Sequence, residues 1–397
     1  MSNLHVSNRK RTIEACSGGL FVFSGYDAMQ LSGDMAAPFL QEATFWWLTG
    51  IEEPGWKLII DSARSGRAIL YRPERSDIQM VFDGSYTTER ALEISGAQEV
   101  RSSKVFESDL RQFRRYHTLV KTVKATDHQD FVHNPAMADL AKLLDRIFLT
   151  SEDCSRLIDG LRAIKQPEEI RRIRAAVKHT VAAFKYVRES LDSIRHEYGV
   201  EAEFGYAFRR NGLDHAYRPI VASGSNACTL HYDKNNASLA KNKGVLIDIG
   251  ARYDGYAADI TRTYCVNPTK RFKAVHAAVE RAHHRCIALL GPDLPVIEYV
   301  TAVDEVMKDA LEEVGLLKDR SDTESYRKYF PHSISHGLGV DTHDPFGNHR
   351  YFRPGMVITV EPGIYIPEES LGVRIEDDIL ITDSGHENIS GALSTKL

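Results

Sequence analysis

Asp248 and Asp259 lie on either side of a turn in GVLIDIGARYDGYAADITRT, residues 244–263, on arms that are otherwise largely apolar. Val245, Leu246 and Ile247 lead into Asp248, Tyr253-Asp254-Gly255 is a turn signal, and the chain returns from Tyr256 to Ile260 through Asp259. With the turn centred there, the two aspartates are equidistant from its midpoint. They are expected to face each other across an antiparallel hairpin, with Cβ atoms about 4.5–5.5 Å apart. Two carboxylates so placed repel unless a cation sits between them. A single such pair is equally compatible with both side chains pointing to solvent, the usual fate of an aspartate.

A second hairpin narrows the choice. In MVITVEPGIYIPEESLGVRIEDDILIT, residues 356–382, Glu361 and Glu376 hold mirror positions about the breaker Pro367-Glu368-Glu369-Ser370. Between the two hairpins, PHSISHGLGVDTHD supplies His332, His336 and His343. One histidine is more often structural than ligating, but three close together among glycines, beside two acidic pairs, point to a metal site. Four buried negative charges are prohibitive without compensation. Two divalent ions supply it and leave room for a hydroxide. Carboxylates with imidazole form a hard site suited to Mn²⁺, Co²⁺, Fe²⁺ or Zn²⁺ rather than to a thiolate-selected ion. Ions about 3.5–4 Å apart hold a nucleophilic hydroxide between them and polarise a carbonyl.

Positioning these groups requires ordered elements around both hairpins. Pro167-Glu168-Glu169 suits the first turn of a helix, and Ile170, Ile173, Val177, Val181, Phe184, Val187 and Leu191 continue it as an apolar stripe. Further helices are expected from about Arg271 to Leu290, stopped by Gly291-Pro292, and from about Val296 to Val314. Helix, strands, helices, strands is the order of an α+β domain in which helices cover one curved antiparallel sheet. The first half reads differently: Leu20–Phe23, Thr44–Leu48, Lys57–Ile60 and Ala68–Tyr71 are read as strands and Ala136–Ile147 as a helix. FWWLTG, residues 45–50, is read as a core strand or as a wall facing another domain or subunit. The 397 residues are therefore divided into an α/β domain over 1–160 and a catalytic domain over 161–397.

Composition excludes several classes. A formal net charge of −5 without a basic stripe disfavours nucleic acid as a partner. Five scattered cysteines, odd in number and without a CxxC, read as reduced thiols in a cytoplasmic protein. No run has the length or apolarity expected of a membrane span or signal peptide. His196-Glu197 begins like a zincin motif, but position 200 is Val, and neither a P-loop nor a GxSxG is present.

IDIG, ADITRT, HSISHGLG, VEPG and RIEDD, in that order, resemble the pita-bread metallopeptidases that act on Xaa-Pro bonds, the prolidases and aminopeptidase P. The resemblance covers about Ile164 to Gly385, and FLQEATFWWLTG suggests the creatinase-like N-terminal domain of the same family. It implies two divalent ions (Mn, Co or Zn) held by Asp248, Asp259, His336, Glu361 and Glu376, with Asp259 and Glu376 bridging both. It further implies Glu361 as proton acceptor for a metal-bridging hydroxide, His231 near the developing oxyanion and His343 in substrate binding and proton shuttling. His332 and Arg374 would hold ligands and substrate. The substrate is then a short proline-containing peptide, and a homodimer is implied. Ser333, and Pro345-Phe346 after Asp344, depart from the family pattern and are expected to reshape the pocket beyond the scissile bond.

Two activities stand side by side. A Xaa-Pro dipeptidase is preferred for the moderate length of the chain, and aminopeptidase P, acting on longer peptides, is the alternative supported by FWWLTG. A catalytically inactive pita-bread binding protein is a remote third, since all five ligand positions are filled.

Overall fold

A computed structural model describes residues 4–124 and 132–397, which form two compact units, Met1–Leu161 and Arg162–Leu397. Among the described residues no helix is long and apolar enough to cross a membrane.

The first unit is built on a six-stranded mixed sheet. Its order is Glu99–Ser102, Arg67–Arg72, Lys57–Asp61, Leu20–Ser24, Leu119–Thr122 and Thr150–Asp153. The inner strands pair antiparallel and the outer ones parallel. Leu20, Val22, Ile59 and Val120 are fully buried against Leu110, Leu140 and Leu144 from flanking helices. The helix expected near Ala136–Ile147 runs over Pro135–Ile147, with Asn134 as its N-cap.

One expected strand is a helix. Ala43–Thr49 is α-helical and buried along its whole length. A short run buried all round has no periodicity to separate strand from helix, so the ends decide. The Glu42 carboxylate accepts from the Thr44 and Phe45 amides, and Gly50 closes the C-terminus at φ +70°, its N–H donating to the Trp46 carbonyl.

The second unit opens with the helix Pro167–Ser190, whose Gln166/Glu169 capping box and buried Ile173, Val177, Val181, Phe184 and Val187 follow the predicted stripe. Helices Lys270–Ala288 and Val296–Glu313 pack on the strands Val357–Val360, Gly363–Ile366 and Leu371–Arg374. Val279, Met307, Ile358, Ile364 and Val373 at their contact are out of reach of water. The strands form antiparallel ribbons: Ile220–Ser223, Val245–Ile249 and Ile260–Tyr264 in one, Val357–Val360, Asp377–Thr382 and Gly385–Asn388 in another. An antiparallel bridge between Thr261 and Glu376 links the two.

Candidate metal centre

Asp254 and Gly255, at φ +46° and +82°, make the two-residue turn of the first ribbon. Positive φ at both central positions is the hairpin turn whose twist matches the flanking strands. It pairs Tyr253 with Tyr256 and, further down, Ile249 with Ile260 and Asp248 with Thr261. Asp248 therefore faces Thr261 and not Asp259, because the turn is centred one position later than the sequence suggests. The resulting shift is two residues, which preserves side-chain parity, so both aspartates still project from one face. Gly250 makes the close approach possible: a Cβ there would meet the Ala258 carbonyl oxygen at 1.6 Å. The aspartates converge on Tyr217, whose hydroxyl lies 2.6 Å from Asp248 Oδ1 and 2.6 Å from Asp259 Oδ1. A phenol has one proton to donate, so it satisfies only one of these oxygens at a time.

In the second ribbon Val360 pairs with Asp377 and Gly363 with Arg374, a register that sets Glu361 opposite Glu376. The ribbons are joined where the Glu376 amide donates to the Thr261 carbonyl (3.1 Å) and the Thr261 hydroxyl to Glu376 Oε2 (2.6 Å). His336 enters from the connecting segment. Its amide donates to Thr359 Oγ1 and its carbonyl accepts from the Thr359 amide. Its Nε2 lies 3.5 Å from both Asp259 Oδ2 and Glu361 Oε1. With Nδ1 3.0 Å from the Gly337 carbonyl, the consistent assignment is a proton on Nδ1 and a lone pair on Nε2, facing the carboxylates. Asp259, His336 and Glu376 each offer a ligand atom within 4.8 Å of the others.

The remaining groups frame this cluster. Arg374 Nη2 donates to Asp248 Oδ2 (2.5 Å), its Nη1 to the Tyr365 hydroxyl (2.9 Å) and its Nε to Thr261 Oγ1 (3.2 Å). The Tyr365 hydroxyl is also 2.8 Å from His332 Nε2, and His332 Nδ1 lies 2.8 Å from the Ser333 carbonyl. The His343 ring stands 4.3 Å from that of His336. His231 is exposed, and burial first and then proximity to His231 lower the pKa of His343. The Asp344 side chain, ahead of the divergent Pro345-Phe346, is buried in ion pairs with Arg162 and Lys165. Glu197, from the zincin-like pair, is also structural, accepting from the Ser223 and Ala237 amides and the Tyr232 hydroxyl.

Tyr217, Thr261, Tyr365 and Asp378 were not singled out by the sequence. Thr261 and Asp378 sit two residues beyond Asp259 and Glu376, where strand alternation returns a side chain to the same face. Asp378 accepts from the Asp259 amide through Oδ2. Tyr217 lies 31 residues before Asp248 and carries no local signal.

Burial, and then the charges of Asp248 and Asp378, push the Asp259 carboxyl well above the ordinary range. Burial and Asp259 do the same to Glu376. Burial raises Glu361 to about 8 despite the opposing charge of Arg374. His332 and His336 go the other way, to about 4, through burial first and then Arg374 and His343 respectively. The imidazoles are thus neutral near pH 7, the form that binds metal, and the acids keep protons only until cations replace them. The donor set fits divalent ions.

This sets a pH signature for protein stripped with a chelator. An acid whose pKa is raised on folding contributes stability that is lost as pH climbs through the folded value. The two histidines, lowered on folding, favour the folded state increasingly up to about pH 6.5 and contribute no slope above it. Stripped protein is therefore expected to lose melting temperature from pH 6.5 to 8.5, by up to about 1.4 kcal/mol per pH unit for each acid deprotonating. Metal-loaded protein is expected to lack that slope. A flat or rising melting temperature in the stripped form would contradict the electrostatics described.

Comparison with known proteins agrees with the geometry. Residues 171–383 match the model of metallopeptidase family M24, and residues 5–120 match the aminopeptidase P N-terminal domain. The Xaa-Pro aminopeptidase of Escherichia coli K12 is 32% identical over 392 residues, covering 92% of this chain and 89% of that protein. The structure of a putative aminopeptidase P from Bacillus anthracis superposes with a TM-score of 0.89 at 29% identity, over 100% of this chain and 96% of that one. Zn-substituted E. coli aminopeptidase P in complex with product gives 0.87 at 28% identity, over 100% and 96%.

Proposed function

Because the chain belongs to metallopeptidase family M24, we propose that it is an Xaa-Pro aminopeptidase, releasing the N-terminal residue that precedes proline in peptides of three or more residues. The observation that carries this reading is the convergence of Asp259, His336 and Glu376, from two ribbons and their connection, to within 4.8 Å of one another. The relatives named above are aminopeptidases, and this favours the longer-peptide activity over the dipeptidase that chain length suggested. An inactive binding protein has no support, since all five ligand positions are occupied by ligating residue types.

Asp248, Asp259, His336, Glu361 and Glu376 would hold the divalent ions, two per chain and drawn from Mn, Co or Zn. When bound, the ions supply Lewis-acid polarisation of the scissile carbonyl and a water acidic enough to attack near neutral pH. Arg374 holds Asp248 in place with a charged hydrogen bond and, through Tyr365, orients His332. Glu361 is suited to accept a proton, being buried and already displaced toward neutral pH. The nitrogen of a tertiary amide carries no hydrogen, so the departing proline must be given one. Glu361 or His343 can return it, and exposed His231 can donate to the carbonyl oxygen as its charge grows. Five unpaired cysteines favour a reducing compartment such as the cytoplasm, and a homodimer is the assembly the family resemblance implies.

The test is a comparison of matched Xaa-Pro and Xaa-Pro-Xaa peptides. The tripeptide is expected to be cleaved with a kcat/KM at least about tenfold higher, worth about 1.4 kcal/mol. Equal or better cleavage of the dipeptide would restore the dipeptidase, and cleavage of neither would defeat both.

A further inference from the structure

The loop between His336 and Asp344 carries one proposed metal ligand at its start and a proposed substrate-side histidine near its end. Its neck is closed by the Asp344 amide donating to the Gly337 carbonyl (2.8 Å). A Cβ at Gly337 would meet the Asp344 carbonyl oxygen at 2.2 Å, so the closure needs a residue without one. Beneath the neck, Asp344 Oδ1 accepts from Arg162 Nη2 (2.5 Å) and Oδ2 from Lys165 Nζ (3.0 Å). The exposures of the three side chains are 2%, 4% and 2%. Arg162 also reaches Asp341 Oδ2 (2.9 Å), on the same loop. Lys165 is fixed in turn by its amide, which donates to the Gly355 carbonyl. Hydrophobic side chains of similar volume would hold a loop at least as strongly as buried ions do. What directional charged bonds add is a fixed orientation.

We propose that Asp344, gripped by Arg162 and Lys165, is a positioning residue that fixes the His343 imidazole against His336 for the proposed peptidase reaction. The inference rests on that functional reading. His336 is not dependent on this clamp, because its backbone is held separately by Thr359. Loss of the clamp therefore frees His343 while leaving the metal ligands in place. Misplacing a reacting group by about 1 Å costs on the order of 10²-fold in rate.

The experiment is a double-mutant cycle on the full-length, metal-loaded enzyme with an Xaa-Pro-Xaa peptide, preceded by measurement of metal content. D344N is expected to lower kcat about 100-fold at unchanged metal content, and to lower it less than about threefold in an H343A background, since the group it positions is already gone. Should D344N fail to fold, K165M replaces it. That change keeps the Arg162–Asp344 bond and is expected to cost about tenfold, again with the loss confined to the background that retains His343. Losses of more than about tenfold for D344N in H343A, or equal losses for K165M in both backgrounds, would show a general structural role and overturn the proposal. So would turnover of D344N within about threefold of the parent. A parent enzyme that cleaves no Xaa-Pro peptide fails at the earlier step, and the inference falls with the functional reading.

Discussion

Replacing Glu376 by alanine is expected to reduce kcat by at least about 10³-fold, some 4 kcal/mol of barrier, while the metal-free protein melts no lower than its parent. The two readouts diverge because the carboxylate is unfavourable to the empty fold. Glu376 is buried, and burial first and then the charge of Asp259 raise its pKa. Deleting it removes a buried acid whose charged form the empty fold disfavours, and Thr261, which it leaves, still accepts from Arg374 Nε. A glutamate that merely braced the ribbons would behave in the opposite way, with melting temperature falling before turnover did. Glu376→Gln keeps an acceptor for Thr261 but not the charge, so it should lose turnover as well. Near-normal kcat in either variant, measured on an Xaa-Pro-Xaa peptide with saturating metal, would remove Glu376 from the ligand set.

Chelation followed by dialysis is expected to eliminate turnover altogether, and added Mn²⁺, Co²⁺ or Zn²⁺ to restore it. Stability should follow. An ion present at a hundred times its Kd adds about 2.7 kcal/mol, or roughly 5–10 °C in melting temperature for a domain of this size. That increment should be absent from Glu376→Ala. Turnover that survives thorough removal of metal would defeat the peptidase mechanism, however well the fold matches its relatives.

The acids of the site were legible in the sequence because strand geometry is periodic. Glu361 and Glu376 face each other as their mirror spacing predicts. Asp248 and Asp259 do not, since left-handed Asp254 and Gly255 centre the turn between themselves. The even size of that slip saved the inference, for a slip of one residue would have sent one aspartate to the other face. Thr44–Leu48 reads as a strand because a short buried run with four apolar residues looks alike in strand and helix, and the caps Glu42 and Gly50 decide for the helix. Tyr217 and Arg162 act across the fold, where no local pattern reports them. Asp344 shows the other limit: the divergent Pro345-Phe346 after it is visible in the sequence, but not that the Asp344 side chain turns inward to two cations.

The bond that stitches the ribbons spans 115 residues of chain, from Thr261 to Glu376. During synthesis the first ribbon leaves the ribosome with only two of the five candidate ligands, and the last, Glu376, follows 115 residues after Thr261. A chain cut short of Glu376 therefore lacks one of the five candidate ligands, whatever its first ribbon has already formed.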